Sequence, residues 1–220
     1  MIPDILKKID NKFLELINLQ NSSMSGRVVV VVGSNACGKS LFRKAINQKL
    51  SENEDLFVTH FSQEGRSKGG FERIFLYGSE SDESTGYLTV SSLIRNFNKD
   101  RNSPWVTICD EPEIGLSEES QSGLGIWLHD KMEKDTLSNL LGIVVITHSR
   151  HIVSALSKCK EFIFLDLDGL YSTHKEWLER KILPIRPETI KTKGLTRWKE
   201  FSQFFKQRKS IDSKQKQDRK

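Results

Sequence analysis

The residues best suited to chemistry lie between positions 33 and 41. Gly33-Ser34-Asn35-Ala36-Cys37-Gly38-Lys39-Ser40 fits G-x-x-x-x-G-K-[ST], and Leu41 follows it. Glycines at the two fixed positions let the main chain curl so that successive N–H groups point inward, and a helix starting at Lys39 adds its own unpaired N–H groups. That arrangement suits a phosphate chain. Lys39 would reach the β- and γ-phosphates, and the Ser40 hydroxyl would ligate Mg²⁺. A second group of chemical residues ends a strand-like run, Val106-Thr107-Ile108-Cys109-Asp110-Glu111. An acid at the end of a strand beside the loop can hold the water shell of Mg²⁺, which suits Asp110. A further acid directly after it can activate an attacking water, which suits Glu111. Nucleoside kinases and GTPases do not need this second acid. The guanine-reading N-K-x-D pattern is also missing, because Asp100 in Asn98-Lys99-Asp100 falls one position early.

These groups need elements to position them. Val28 to Val32 is an unbroken β-branched run, as in a strand buried on both faces, and it leads straight into the loop. Residues 39–50 carry Leu41, Phe42, Ala45, Ile46 and Leu50 at helical spacing. Further strands are expected at 56–61, 105–109, 142–147 and 161–166, and helices at 4–20, 87–97, 118–134 and 150–158. Gly65 to Gly70 reads as a polar loop, 73–77 as extended and 79–83 as an acidic turn. Strands alternating with helices predict an α/β fold with a mainly parallel sheet flanked by helices.

Composition narrows the class. The 220 residues are 36% hydrophobic and 29% charged, enough apolar material for a core. No apolar run approaches the roughly 18 residues that span a bilayer. The N-terminus mixes Asp4, Lys7, Lys8 and Asp10, unlike a secretory leader. Three cysteines without paired or metal-type spacing read as reduced thiols, which predicts a cytoplasmic protein. The formal net charge of +5 sits in one place: residues 206–220 hold seven bases and two acids, and the rest is balanced. That stretch has the composition of a disordered end. It is also a candidate salt-sensitive anchor for nucleic acid or an acidic protein partner. The expected organisation is an N-terminal amphipathic helix and lead-in at 1–26, an ATPase domain at 27–205 and the basic tail at 206–220.

Taken together, the loop and the acidic pair resemble the ATP-binding cassette superfamily, over roughly residues 27–168. Further landmarks fall in the family's order. Phe61-Ser62-Gln63 stands where a Q-loop belongs, Pro112 to Ser117 where a D-loop belongs, and Ile146-Thr147-His148 where a switch histidine ends a strand. Ser84-Thr85-Gly86-Tyr87 takes the place of the L-S-G-G-Q signature, with Glu83 for leucine, Thr85 for the first glycine and Tyr87 for glutamine. The resemblance implies ATP and Mg²⁺ as cofactors. It implies Glu111, His148 and Gln63 as catalytic residues, and Ser40, Gln63 and Asp110 as metal ligands. In the family two copies close on two ATP molecules, so Ser84 and Gly86 would reach the γ-phosphate held by a partner copy. His60, His129, His151 and His174 have no such setting and read as structural or surface residues.

Spacing excludes some relatives of that kind. Only 44 residues separate Lys39 from Ser84, too few for the full helical subdomain that transporter ATPases dock on a membrane partner. No long coiled coil is inserted. The expected form is therefore a minimal stand-alone cassette ATPase with a reduced helical subdomain, like those of bacterial and phage DNA-repair and defence systems. The rival readings are an ATP-gated binding module on nucleic acid or protein, a transporter subunit, and a small-molecule kinase. No aromatic for adenine stacking is evident upstream apart from Phe13.

Overall fold

In a computed structural model, residues 26–62, 85–134, 137 and 139–217 are described, with backbone only for Thr85 and for 204–217. The expected helix at 4–20, the loops and extended piece between 63 and 83, and the residues Gln63 and Ser84 lie outside the described residues.

Five strands form one sheet: β1 (Val28–Val32), β2 (Phe57–Phe61), β3 (Trp105–Asp110), β4 (Leu140–Ile146) and β5 (Phe162–Asp166). Their spatial order is β2-β3-β4-β1-β5, and every pairing is parallel. Six helices follow in chain order among the described residues: α1 (Lys39–Ser51), α2 (Thr85–Phe97), α3 (Glu118–Glu133), α4 (Arg150–Leu156), α5 (His174–Glu179) and α6 (Pro187–Gln217). The five valines of β1 divide between two cores because successive side chains leave a strand on opposite faces. Val29 and Val31 pack with Phe42, Ile46 and Leu50 of α1 and with Phe201 of α6. Val28, Val30 and Val32 pack with Leu93 and Phe97 of α2, Leu128 of α3, Ile152 of α4 and Trp177 of α5. Helices thus cover both faces, which a parallel sheet requires.

Local chemistry sets several helix starts. Ser117 and Ser149 cap α3 and α4 by accepting from the N–H groups of Ser120 and Ile152. Thr173 and Glu176 form a reciprocal capping box at α5. The predicted strands and helices between 28 and 166 are present, with ends shifted by a few residues. Two helices, α5 and α6, were not expected. The backbone of α6 runs without a break from Pro187 to Gln217. That backbone span crosses residue 205, after which composition places the start of the basic tail. The physical reason is that a helix already propagating extends into Lys-, Gln- and Arg-rich sequence at little cost.

Candidate functional site

The chain leaves β1 for one side of the sheet and later passes over β1 to reach β5. Such a switch point opens a crevice at the carboxyl ends of the strands. Register then brings the chemical residues to one edge. Ile146, the last residue of β4, lies level with both Val31 and Asp110. Its carbonyl accepts the Glu111 N–H at 2.8 Å, and the Thr147 N–H donates to Val31 at 3.0 Å. The phosphate loop, the acidic pair and His148 are therefore neighbours.

Gly33 and Gly38 take φ values of 152° and 113°, where side chains are disfavoured, and Ala36 takes 66°. A methyl group built on Gly33 would stand 2.5 Å from the Cys37 sulfur, so the loop closes tightly on itself. Gly38 begins α1 without a side-chain cap. A cavity of about 390 Å³ lies at this helix start. Asn35, Ala36, Gly38, Lys39, Ser40 and Leu41 line it, with Asp110 and Glu111 opposite. Gly33, Ser34 and Cys37 stand behind this wall. The Ser34 N–H and hydroxyl both donate to Asp168. Cys37 is fully buried under the loop, and burial pushes its thiol up, which removes the reactivity of a thiolate.

Lys39 is almost wholly buried, and its ammonium donates to the carbonyls of Gly33 and Ser34 at 3.2 Å each. It also lies 2.7 Å from His148 Nε2, which is 3.4 Å from Glu111 Oε1. That nitrogen can serve only one neighbour at a time: unprotonated it accepts from Lys39, protonated it donates to Glu111. The His148 contact holds the Glu111 carboxyl below its ordinary range, against the opposing effect of burial. Glu111 is therefore ionised near neutrality. Its backbone has φ 50°, a left-handed conformation that costs a non-glycine residue about 1 kcal/mol or more.

Three further residues escaped the sequence reading. Arg43 leaves α1 one turn after Lys39 and places Nε 3.2 Å from Asp110 Oδ2. Glu113 is buried, its carboxyl pushed up by burial, and it accepts the His148 N–H at 2.7 Å. It positions the histidine through the backbone. Asp168, just past β5, ties Ser34 to Lys193 of α6 at 2.5 Å. Burial pushes Asp168 up, but bonds from Lys193 and Ser34 outweigh it and hold the carboxyl low. The signals were present: a charge on the apolar face of α1, an acid beside Pro112 in the turn after β3, and an acid two residues past the end of β5.

Gly86, in the signature-like stretch, is not at this cavity. It is buried in the first turn of α2, where a built methyl would stand 2.5 Å from the Gly115 carbonyl oxygen. His60 is set apart as well. It lies 2.5 Å from Asn47 Oδ1, and burial with Arg43 nearby lowers it to about 4.

The donor set fits a nucleoside triphosphate with a hard cation. Curled N–H groups, an uncapped helix start and Lys39 suit phosphate oxygens. Ser40 and Asp110 present oxygen to the same cavity. Among the described residues no cluster of three or more His, Cys, Asp or Glu side chains forms a metal site by itself. A magnesium ion would thus rely on Ser40, Asp110, water and phosphate, which is its usual habit.

The strand–loop–helix unit and the parallel five-stranded order define an α/β P-loop NTPase fold. No family model matches the sequence. No curated protein matches it either. Among solved structures, the chain is similar to a bacterial ABC transporter cassette described as dimeric, with 14% identity, 66% of this chain and 83% of that chain covered, and a TM-score of 0.41. It is also similar to Drosophila ORC bound to DNA, with 14% identity, 76% and 45% coverage, and a TM-score of 0.37. Drosophila ORC bound to AT-rich DNA and Cdc6 gives 9% identity, 83% and 60% coverage, and 0.33. Among the described residues, no helix is long and apolar enough to cross a membrane.

Proposed function

We propose that the chain is a minimal cassette-type ATPase that binds Mg·ATP and cleaves it to ADP and phosphate. One observation carries this reading: Lys39, Ser40, Asp110 and Glu111 converge on a single cavity at the carboxyl edge of the sheet, with His148 Nε2 within reach of both Lys39 and Glu111. Lys39 and the loop N–H groups hold the phosphates. Ser40 and Asp110 would hold a magnesium ion, which when bound would supply positive charge against that developing on the transferred group. Glu111 accepts a proton from the attacking water, and His148 orients Glu111. Catalysis is then positioning and electrostatics, with Gln63 as a further candidate sensor of the γ-phosphate.

The proposed working form is an ATP-dependent homodimer in which Ser84 of one copy faces the nucleotide of the other, with the buried Gly86 setting the start of α2. The proposed setting is DNA transactions or defence-type processes in the cytoplasm, with residues 206–220 as the contact to nucleic acid or an acidic protein. A second reading, an ATP-gated binding module with little intrinsic hydrolysis, draws support from Arg43. That guanidinium sits on Asp110, the carboxylate a cation needs.

The Glu111→Gln variant tests the reading. Phosphate release falls by at least about 100-fold while ATP stays bound, and light scattering finds a dimer with ATP. Phosphate appearing on an acceptor instead of free in solution counts for a kinase. Full phosphate release by the variant removes Glu111 from the mechanism.

A further inference from the structure

The cavity beside the phosphate loop has two unlike walls. One is polar and carries Lys39, Ser40, Asp110 and Glu111. The other belongs to α6 and carries Gly194, Arg197, Trp198 and Phe201. The first wall provides for a phosphate chain. A nucleotide also has a flat apolar end, which needs a π-surface to be bound out of water.

Two aromatics line this cavity among the described residues, and they differ. Phe201 is 1% exposed and spends its ring in the core with Phe42 and Leu167. Trp198 is 67% exposed although it lines the cavity. An indole left largely in water beside a phosphate site is a surface waiting to be covered. The helix bearing it is anchored on both sides. Before Trp198, the Lys193 ammonium meets Asp168 at 2.5 Å and also bonds Ser34. A methyl group built on Gly194 would stand 3.5 Å from the Ala36 side chain, so α6 passes close over the loop. After Trp198, Phe201 plugs the core. The indole is therefore held at a set height beside the start of α1.

We infer that Trp198 is the base platform of this site: the nucleobase of a bound nucleoside triphosphate stacks on its indole while the phosphates run to Lys39 and Ser40. This inference rests on the nucleotide reading above. Stacking is indifferent to base identity, because every base has a π-face. Trp198 thus confers preference for a nucleotide over bare polyphosphate and leaves the choice between ATP and GTP to other groups.

Calorimetric titration of the full chain with ATP, GTP and inorganic tripolyphosphate, each with Mg²⁺, tests it. Trp198→Ala weakens ATP and GTP about tenfold and tripolyphosphate less than about twofold. Trp198→Phe, which keeps a ring, restores most of the affinity. Equal loss for all three probes, or loss for none, overturns the proposal. So does a Trp198→Ala variant that changes self-association by light scattering while ATP affinity stays put, since the indole then belongs to an interface between copies. If the wild-type chain binds ATP no better than tripolyphosphate, the phosphate site stands and the base platform falls. If it binds neither, the nucleotide reading falls and Trp198 with it.

Discussion

Helices α1 and α6 rest on the same face of the sheet and border the same cavity, yet they are held in different ways. α1 is short and buries Phe42, Ile46 and Leu50. Its first turn is an extension of the phosphate loop, so Lys39 and Ser40 have no freedom apart from the fold. α6 is 31 residues long. Its described residues leave Leu195 and Trp198 in water and enter the core at Phe201. It meets the loop through Lys193 and Gly194. One helix is part of the core and the other is moored to it. Local opening in a protein is easiest where few apolar contacts must break. Lys39 and Ser40 are thus built into the more deeply buried element, and Arg197 and Trp198 are carried by the one with fewer buried residues.

The largest test of that contrast is Phe201→Ala. Removal of a buried phenyl ring costs about 3–5 kcal/mol. If α6 is moored, that loss appears as detachment of the helix, read by hydrogen exchange across 187–203, while exchange in β1 and β4 stays slow. Equal loosening of β1 would make α6 as much a part of the core as α1. A smaller effect comes from Asp168→Asn. It leaves an amide facing Lys193 and removes charge-assisted bonds worth about 2 kcal/mol. Proteolysis between α5 and α6 should quicken, with the melting of the sheet core unchanged. The smallest concerns only the rigid side. His148→Ala removes the contact that depresses Glu111, so its carboxyl rises toward the ordinary range. The ionised form is then lost at a higher pH. The acid limb of the rate profile moves upward, and the stability that the depressed carboxyl contributes above its unfolded range shrinks. A limb that stays in place separates His148 from Glu111.

The sheet and the polar wall were legible in the sequence because their signals are local. Five consecutive valines before a glycine loop leave little choice of structure, and Asp110-Glu111 closes a strand whose side chains are nearly all buried. Ser149 and Ser117 mark helix starts by type. The α6 wall was not legible for a different reason. Pro187 is a natural first residue of a helix, and Leu195, Trp198 and Phe201 follow at helical spacing, so the element itself could have been read. Its landing place could not, since it depends on contacts made across the chain between Lys193 and Asp168 and between Gly194 and Ala36. Arg43 shows the same limit. Its spacing from Lys39 puts both on one side of α1, but its pairing with Asp110 follows from where β3 lies in the sheet.

The position of β4 between β1 and β3 acts as a ruler. Neighbouring strands stand about 4.8 Å apart, so the ends of β1 and β3 are separated by about 10 Å, twice that interval. The span between the glycine loop after β1 and the acids after β3 is thereby written in main-chain hydrogen bonds. Altering side chains in the turns after Val32 and Asp110 can retune the chemistry, but the width of the gap will not follow.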